Sequence, residues 1–517
     1  MLNKVRHENM SIKIETIFKY KIYCIFIFSL LILIIPLFSN ISNFPIRMWD
    51  EATYANNSID MMESGNPVVI TDKGAPDLYN TKPPFVIWLQ AISMKVFGVN
   101  ELAVRLPSAI FAIFTILIVF LFCVFALGDT KAGVISSLVL LTSKGYISNH
   151  VARTGDLDAV LVFWMTFYIF IFILLLLRKT QRNSMWFILL STGISFAFLS
   201  KGSAGFFFLP FLFIISVLFG NAWIYKRSQL YVAAGAVIVV SASFYLLREF
   251  LAPGYLNAIY QSEISRLFKP VMSWQIQPFA YYYENLKNYR FNYFFYLLIA
   301  SLFTPVFLQK NKIALKVFLY LLIIAVGYFF LISLPQVKLE WYDAPLFPLF
   351  AVLIGLFLSS FFENAVTLIK KDLSEKIRWI VFGILLLLLF IKPYNDILKT
   401  LSFPEKNVYE MEREGALLKT ELNRHPEITR LIVVKSVSHP EHLDQVYFYQ
   451  RAFEKNGRAK ISVQSHEDVN KGDFVMTSQL FHARKIDSLY STLVIDSLPE
   501  GVLFKILGKK LFEPPLK

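Results

Sequence analysis

From Ile22 onward the chain alternates long apolar runs with short polar breaks. A membrane-spanning helix needs about 20 mostly apolar residues, with a range of roughly 17 to 25. By that measure, runs near 22–39, 107–127, 132–148, 157–177, 185–200, 204–220, 229–247, 293–309, 313–334, 344–361 and 378–393 predict eleven spans. The runs at 132–148 and 185–200 carry the weakest pattern. The first run is long for a signal-peptide core and no small-residue cleavage site follows it, so it reads as a retained helix.

Three breaks are long: 40–106, 248–292 and everything after about 394. Within the first lies "PFVIWLQAISMKVFG", residues 84–98, which is amphipathic and aromatic but too short to span. Such a helix lies in the membrane interface, either to admit a lipid substrate or simply as an anchor. The tail is polar and mixed in charge, and its pattern changes. It predicts a helix over 405–424, a strand at "TRLIVVKS", a helix at "DQVYFYQRAF", and strands at "RAKISVQS" and "DFVMTSQL". The expected organisation is a transmembrane domain over 1–393 and a small α/β domain outside the membrane over 394–517.

Composition agrees with a polytopic membrane protein. Of 517 residues, 56% are hydrophobic and 17% charged, against about 25% charged in soluble domains. Cys24 and Cys123 both lie in apolar runs, so no disulfide framework is implied. The net charge of +14 would suit nucleic acid, but its placement argues otherwise. With a cytoplasmic N-terminus, every inside segment is basic: Lys4 to Lys21, Lys131, Arg178 to Arg182, Lys226 and Arg227, Lys310 and Lys312, and Lys370 to Lys376. That is the positive-inside pattern, so the charge sets orientation and meets anionic lipid, and no nucleic-acid partner is expected.

The same topology sends the unusual polar residues to the opposite, outer side. Asp50 and Glu51 follow the first run, and "NTKPP" places Lys82 before the interfacial helix. "HVARTGDLDAV" supplies Arg153, Asp156 and Asp158, "SKGSAG" supplies Lys201, and "LPQVKLEWYDAP" supplies Lys338, Trp341, Tyr342 and Asp343. Singly, each has a plain explanation. A lysine in an outer loop snorkels, an aspartate caps a helix, an arginine neutralises nearby carboxylates, and Trp-Tyr belongs to the aromatic belt. Their convergence from five loops on one face is the informative feature. A carboxylate can accept a proton from a nucleophile while lysines hold a phosphate. A lipid-phosphate sugar donor fits both, because its leaving group is already an anion and needs charge stabilisation more than protonation. One base with several cations also differs from the acid-and-base pair of a glycosidase. A base opposite the leaving phosphate predicts inversion at the anomeric carbon.

These residues resemble a known family. "MWDEATYANNSIDMMESGNPVVI", "YNTKPP", "FGVNELAVRLPSAIFA", "VARTGDLDAVLVFW", "KGSAG" and "KLEWYDAPLFP" look like the GT-C-type integral membrane glycosyltransferases. The nearest branch contains the lipid A aminoarabinose transferases and the protein O-mannosyltransferases, and the likeness covers roughly residues 40–350. The resemblance implies a GT-C-like α-helical fold of about eleven, or up to about thirteen, transmembrane helices. It implies Asp50 as catalytic base with Glu51 in support, and Asp158 as the second acidic position rather than Asp156. It places Lys82 at the donor phosphate, with Lys201 and Lys338, and gives Tyr79 and Tyr342 a place in the donor or acceptor cavity. Arg153, Asp156, Arg266, Lys269 and Trp341 are further candidates for substrate binding. The implied partners are a lipid-linked sugar donor, membrane lipids and an acceptor that is lipid A, another glycan or a protein. The implied location is the bacterial inner membrane, with the active site on the periplasmic side.

One departure bears on cofactors. Aminoarabinose transferases carry a glutamate before the lysine of "KPP" and a histidine in the long outer loop, which together can bind a metal. Here the first position is Thr81, and 248–292 contains no histidine. No metal and no other cofactor is therefore expected. The competing class is a transporter or flippase for a lipid-linked sugar. Transporters bind their substrate near the bilayer midplane, whereas the charge here gathers at one mouth.

Overall fold

The computed structural model describes residues 34–148, 150–178, 184–265, 273–369, 374–402, 412–434 and 443–510, with isolated positions 27 and 31. Most of the first predicted span falls outside them. After a single helical turn at Ile35–Phe38, the longer helices are α1 (Asp50–Ser64), α2 (Phe85–Phe97), α3 (Glu101–Leu127), α4 (Thr130–Leu141), α5 (Asp158–Arg178), α6 (Ser184–Lys201) and α7 (Leu209–Leu218). They continue with α8 (Ser228–Leu251), α9 (Lys312–Ser333), α10 (Leu346–Ile369) and α11 (Glu375–Ser402). Among the described residues seven helices (α3, α5, α6, α8, α9, α10 and α11) are long and apolar enough to cross a membrane. An eighth span forms if the bent pair Tyr281–Arg290 and Phe295–Phe307 counts as one. The protein is a multi-pass, integral membrane protein.

Each predicted span from 107 onward coincides with helix, but three of them are short or broken, the run 293–309 being divided into Phe295–Ala300, Ser301–Phe303 and Thr304–Phe307. The run 132–148 divides at Thr142 and Ser143 into α4 and the turn Lys144–Ile147. The run 204–220 opens with the 3-10 turn Gly202–Phe206, leaving only ten residues for α7. The core follows from the apolar faces: α4, α5, α9 and α10 bury Ile135, Val162, Tyr168, Phe318 and Leu353 in one continuous cluster.

The tail forms a second layer. Helices α12 (Arg413–Arg424), α13 (Asp444–Lys455) and α14 (Leu480–Leu489) pack on a five-stranded sheet. After a two-residue hairpin β1 (Thr71–Asp72) and β2 (Ala75–Pro76), the strands are β3 (Arg430–Val434), β4 (Lys460–Gln464), β5 (Phe474–Thr477), β6 (Tyr490–Leu498) and β7 (Gly501–Lys509). The sheet order is β4-β3-β5-β7-β6, with β3 parallel to β4 and β5, and β7 antiparallel to β5 and β6. The predicted elements of the tail recur among the described residues, the first helix from Arg413 with 405–411 outside them, while α14 and the β6–β7 hairpin are additional. α11 runs to Ser402, past the 394 point at which the tail was expected to start.

This domain sits on α1. Thr53 donates to Asp444 (2.8 Å), the Asn56 amide to the Asp444 carbonyl (2.9 Å), and Arg451 pairs with Asp60. Ile46, Ala52, Ala55 and Ile59 share one apolar cluster with Leu417, Val446 and Phe453. The helix that carries Asp50 at its first turn is therefore clamped between the bundle and the added domain.

Candidate active site

Arg105, in the "RLPS" stretch of α3, organises the approach to Asp50. All five of its N–H groups are used: Nε and Nη2 donate to Glu51 (2.7 and 2.8 Å), and Nη1 and Nη2 donate to the carbonyls of Ile41 (2.7 Å), Phe44 (2.9 Å) and Pro45 (2.7 Å). A planar guanidinium suits such a fixed fan of acceptors. It draws the strap 41–51 onto the end of α3. Glu51 also accepts the Arg47 N–H (2.7 Å) and the Gly155 N–H (2.7 Å), joining that strap to the segment 150–158. Gly155 must be glycine, because a Cβ there would lie 2.4 Å from the Val104 side chain. Trp49, just before α1, holds φ at +70°, a conformation that costs a bulky residue energy and that the clamped strap maintains.

The segment 150–158 is tied down from other sides. Gln90 of α2 donates to the Gly155 carbonyl (2.7 Å), and Ser108 of α3 to that of Asp156 (3.1 Å). Asp158 opens α5, and both its oxygens accept from Lys201 Nζ at 2.7 Å. Lys201 ends α6 because Gly202 turns the chain at φ +65°, which favours glycine. The "NTKPP" turn hangs on α1 through a buried network in which Asn57 donates to Asp77 (3.0 Å) and Asn80 donates to Asn57 (2.9 Å). That turn presents Lys82, whose Nζ lies 2.8 Å from Glu263, while Ser203 donates to the other Glu263 oxygen (2.5 Å).

These elements enclose a cavity of about 230 Å³ lined by Asp50, Tyr54, Tyr79, Lys82, Asp158, Lys201, Glu263, Tyr328, Trp341 and Tyr342 among others. Seven residues singled out in the sequence (Asp50, Tyr79, Lys82, Asp158, Lys201, Trp341 and Tyr342) thus meet from five chain segments. Behind Asp50, the His150 ring stacks on Trp341 (centroids 3.6 Å apart, 15° between planes) and its Nδ1 faces Asp156 at 3.3 Å. Withdrawal from water and the nearby Asp156 hold the Asp50 carboxyl above its ordinary pKa, with His150 and Lys201 opposing. Burial pushes His150 down, but Asp156, Asp50 and Asp158 together hold it above its usual value. Burial also acts on Asp156, yet His150, Thr154 and Lys201 leave it lower than usual.

Several expected site residues are elsewhere. Glu51 is not in the cavity: it is 1% exposed and its carboxylate is filled by Arg105, Arg47 and Gly155. Arg153 donates to the carbonyls of Pro36 and Ser39 and faces a separate cavity of about 370 Å³ lined also by Arg47, Lys144 and Tyr289. Lys338 is buried, with Nζ donating to the carbonyls of Gln277 (2.9 Å) and Pro335, whereas its neighbours Val337 and Leu339 line the site. Asp156 stands behind Asp50 and does not line the cavity. Asp343 is held by Arg290 (2.7 Å). Arg266 and Lys269 lie outside the described residues. The sequence reading missed His150, Tyr54 and Glu263. Only His150 had a visible signal, as the first letter of "HVARTGDLDAV".

As to metals, the expectation of none rested on Thr81 and on the histidine-free stretch 248–292. A different trio, Asp50, His150 and Asp156, brings one ligand atom each within 4.8 Å of the others. Those atoms could hold a divalent ion only with His150 neutral, and Asp50 would be one of the ligands.

Comparison with known proteins places this geometry in context. The family profile described as dolichyl-phosphate-mannose-protein mannosyltransferase matches residues 81–245. An uncharacterized protein of Aquifex aeolicus is 25% identical over 358 residues, covering 69% of this chain and 67% of that protein. An undecaprenyl phosphate-alpha-4-amino-4-deoxy-L-arabinose arabinosyl transferase of Proteus mirabilis is 26% identical over 254 residues, 46% of this chain and 44% of that enzyme. The chain thus spans less than half the length of that enzyme. The solved structure of ArnT from Cupriavidus metallidurans bound to undecaprenyl phosphate shares the fold, with a TM-score of 0.60, 16% identity, and coverage of 92% of this chain and 97% of that one. The chain is related to the GT-C-type membrane glycosyltransferases, whose members here take sugars from polyprenyl phosphates.

Proposed function

We propose that this GT-C relative is an inverting glycosyltransferase that moves a sugar from a polyprenyl-phosphate donor to a hydroxyl or phosphate acceptor, on lipid A, another envelope glycan or a protein. The observation that carries the reading is the meeting of Asp50 with Lys82 and Lys201 around one cavity. The acceptor O–H gives its proton to an Asp50 oxygen as that acceptor oxygen bonds to the anomeric carbon. The bond from that carbon to the phosphate oxygen breaks on the opposite face, and the phosphate leaves with the electron pair. Lys82 and Lys201 meet the growing charge, the first by releasing Glu263 and the second while still neutralising Asp158. Tyr79, Trp341 and Tyr342 border the sugar and supply the apolar, stacking surface that sugar rings favour.

The reaction in this reading needs no metal. His150 serves as a cation, because the acids around it favour its protonated form, and a protonated imidazole does not ligate. The site faces the outer, periplasmic side of a bacterial inner membrane, consistent with the basic segments at the other ends of the helices. The flippase alternative is disfavoured by the position of the polar residues at one end of the bundle.

The test is to give purified protein in nanodiscs a panel of polyprenyl-phosphate sugars with crude envelope acceptor, with and without EDTA. Transfer of one sugar with inverted anomeric configuration, unaffected by EDTA, is the expected result. Movement of lipid-linked sugar across proteoliposomes with no donor consumed contradicts it, and loss of transfer in EDTA by a His425→Ala protein that is active without EDTA contradicts the metal-free step.

A further inference from the structure

The added domain contains a buried acid with no hydrogen bond to hold it. Glu421, on the last turn of α12, is fully buried, yet neither of its carboxylate oxygens has a hydrogen-bond partner among the described residues. An ionised carboxylate buried without a partner is strongly unfavourable. Such a group points to a missing cation. One turn on, His425 Nε2 lies 3.8 Å from Glu421 Oε2. From the facing hairpin, Asp496 of β6 completes a trio whose ligand atoms all fall within 4.8 Å of one another. Asp496 sits at an irregularity in the β6–β7 register, where a bulge re-aims a side chain.

The fourth residue makes the case specific. His425 Nδ1 lies 3.0 Å from the Glu427 carboxylate. A carboxylate that accepts a hydrogen bond from Nδ1–H fixes the tautomer whose Nε2 carries the lone pair, here on the side of Glu421. Metal-bound histidines almost always have this outer carboxylate or carbonyl. The cationic side chain at the trio is Arg424, which donates to Asp496 (2.8 Å), so the acids of Glu421, Asp496 and Glu427 outnumber it.

We propose that Glu421, His425 and Asp496 form a divalent transition-metal site, of the Zn²⁺ class, that ties α12 to the β6–β7 hairpin. One imidazole and two carboxylates suit such ions better than Mg²⁺ or Ca²⁺, which prefer oxygen alone. Ligand bonds of about 2.0–2.2 Å put tetrahedral ligand atoms roughly 3.4 Å apart, so the trio, within 4.8 Å of one another without the ion, must close in on it. Three protein ligands leave a further position open to water. The site is independent of the transferase reading and stands at a different place in the fold from Asp50.

The experiment measures Zn²⁺ bound per chain by full-length protein in detergent, by titration and by elemental analysis after removal of free ion. Wild type is compared with His425→Ala, Glu427→Gln and Asp50→Asn, with Mg²⁺ in excess. The expected result is one equivalent that His425→Ala abolishes, Glu427→Gln weakens roughly 10-fold, and Asp50→Asn and Mg²⁺ leave in place. Glu427→Gln keeps the proposal testable should His425→Ala misfold. Zn²⁺ binding that is absent from wild type, survives His425→Ala, or is displaced by Mg²⁺ overturns it.

Discussion

Glu51 and Arg105 meet through two charge-assisted bonds of 2.7 and 2.8 Å, one residue away from Asp50. Adjacent residues on a helix point in directions about 100° apart, so the two acids of "WDEA" serve different ends. Glu51 turns into the protein and anchors the strap, and Asp50 turns into the cavity.

Removing one partner of a buried ion pair leaves the other charge uncompensated and costs about 3–5 kcal/mol. Glu51→Gln is therefore expected to lower the thermal midpoint of the detergent-solubilised protein and its activity together. A variant with unchanged midpoint and lost turnover would instead place Glu51 in the chemistry.

Lys82 and Glu263 give opposite expectations. A hydrogen bond to a charged group contributes about 1.5–3 kcal/mol, so Lys82→Ala should weaken polyprenyl-phosphate binding roughly 10- to 150-fold. Glu263→Gln should tighten it, because Lys82 no longer holds a carboxylate at 2.8 Å before the phosphate arrives. Equilibrium binding of the unglycosylated lipid phosphate measures both.

The pH profile follows from Asp50. Its active form is the carboxylate, and its pKa is raised by withdrawal from water and by Asp156, so kcat/KM should rise with pH along a limb above the ordinary aspartate value of about 4. His150 opposes that shift. His150→Phe keeps an aromatic ring for Trp341 but removes the opposing charge, and should move the limb to higher pH. An unmoved limb would mean that another group controls it.

Glu412 makes stability depend on pH. Burial raises its carboxyl to about 7, against the pull of Arg47. The folded state then keeps a proton that the unfolded state has lost, so stability is highest below the unfolded value of about 4.5 and falls as pH rises toward about 7. The thermal midpoint should decline between pH 5 and pH 8, and Glu412→Gln should flatten part of that decline.

How much of this was legible in the sequence depended on the kind of signal. Apolar runs long enough to span were readable because each is self-contained. α4 and α7 are shorter than the runs that predicted them, because a polar pair ends the first and a glycine turn delays the start of the second inside an otherwise continuous run. The β6–β7 hairpin was signalled by "PEG" between alternating stretches, and α14 by an apolar periodicity, yet neither was read. Side-chain direction was harder. In the extended segment 337–339 neighbours point to opposite sides, so Val337 and Leu339 face the cavity and Lys338 does not. Arg153, Glu263 and His150 depended on contacts between distant segments, which spacing along the chain does not encode.

The most direct measurement compares single-turnover transfer by wild type and Asp50→Asn at saturating donor, with donor binding measured on the same samples. The account predicts that Asp50→Asn binds donor normally and loses on the order of 100-fold or more in the rate of transfer, as the loss of a general base requires. Transfer within a few-fold of wild type, with binding intact, would contradict Asp50 as the base.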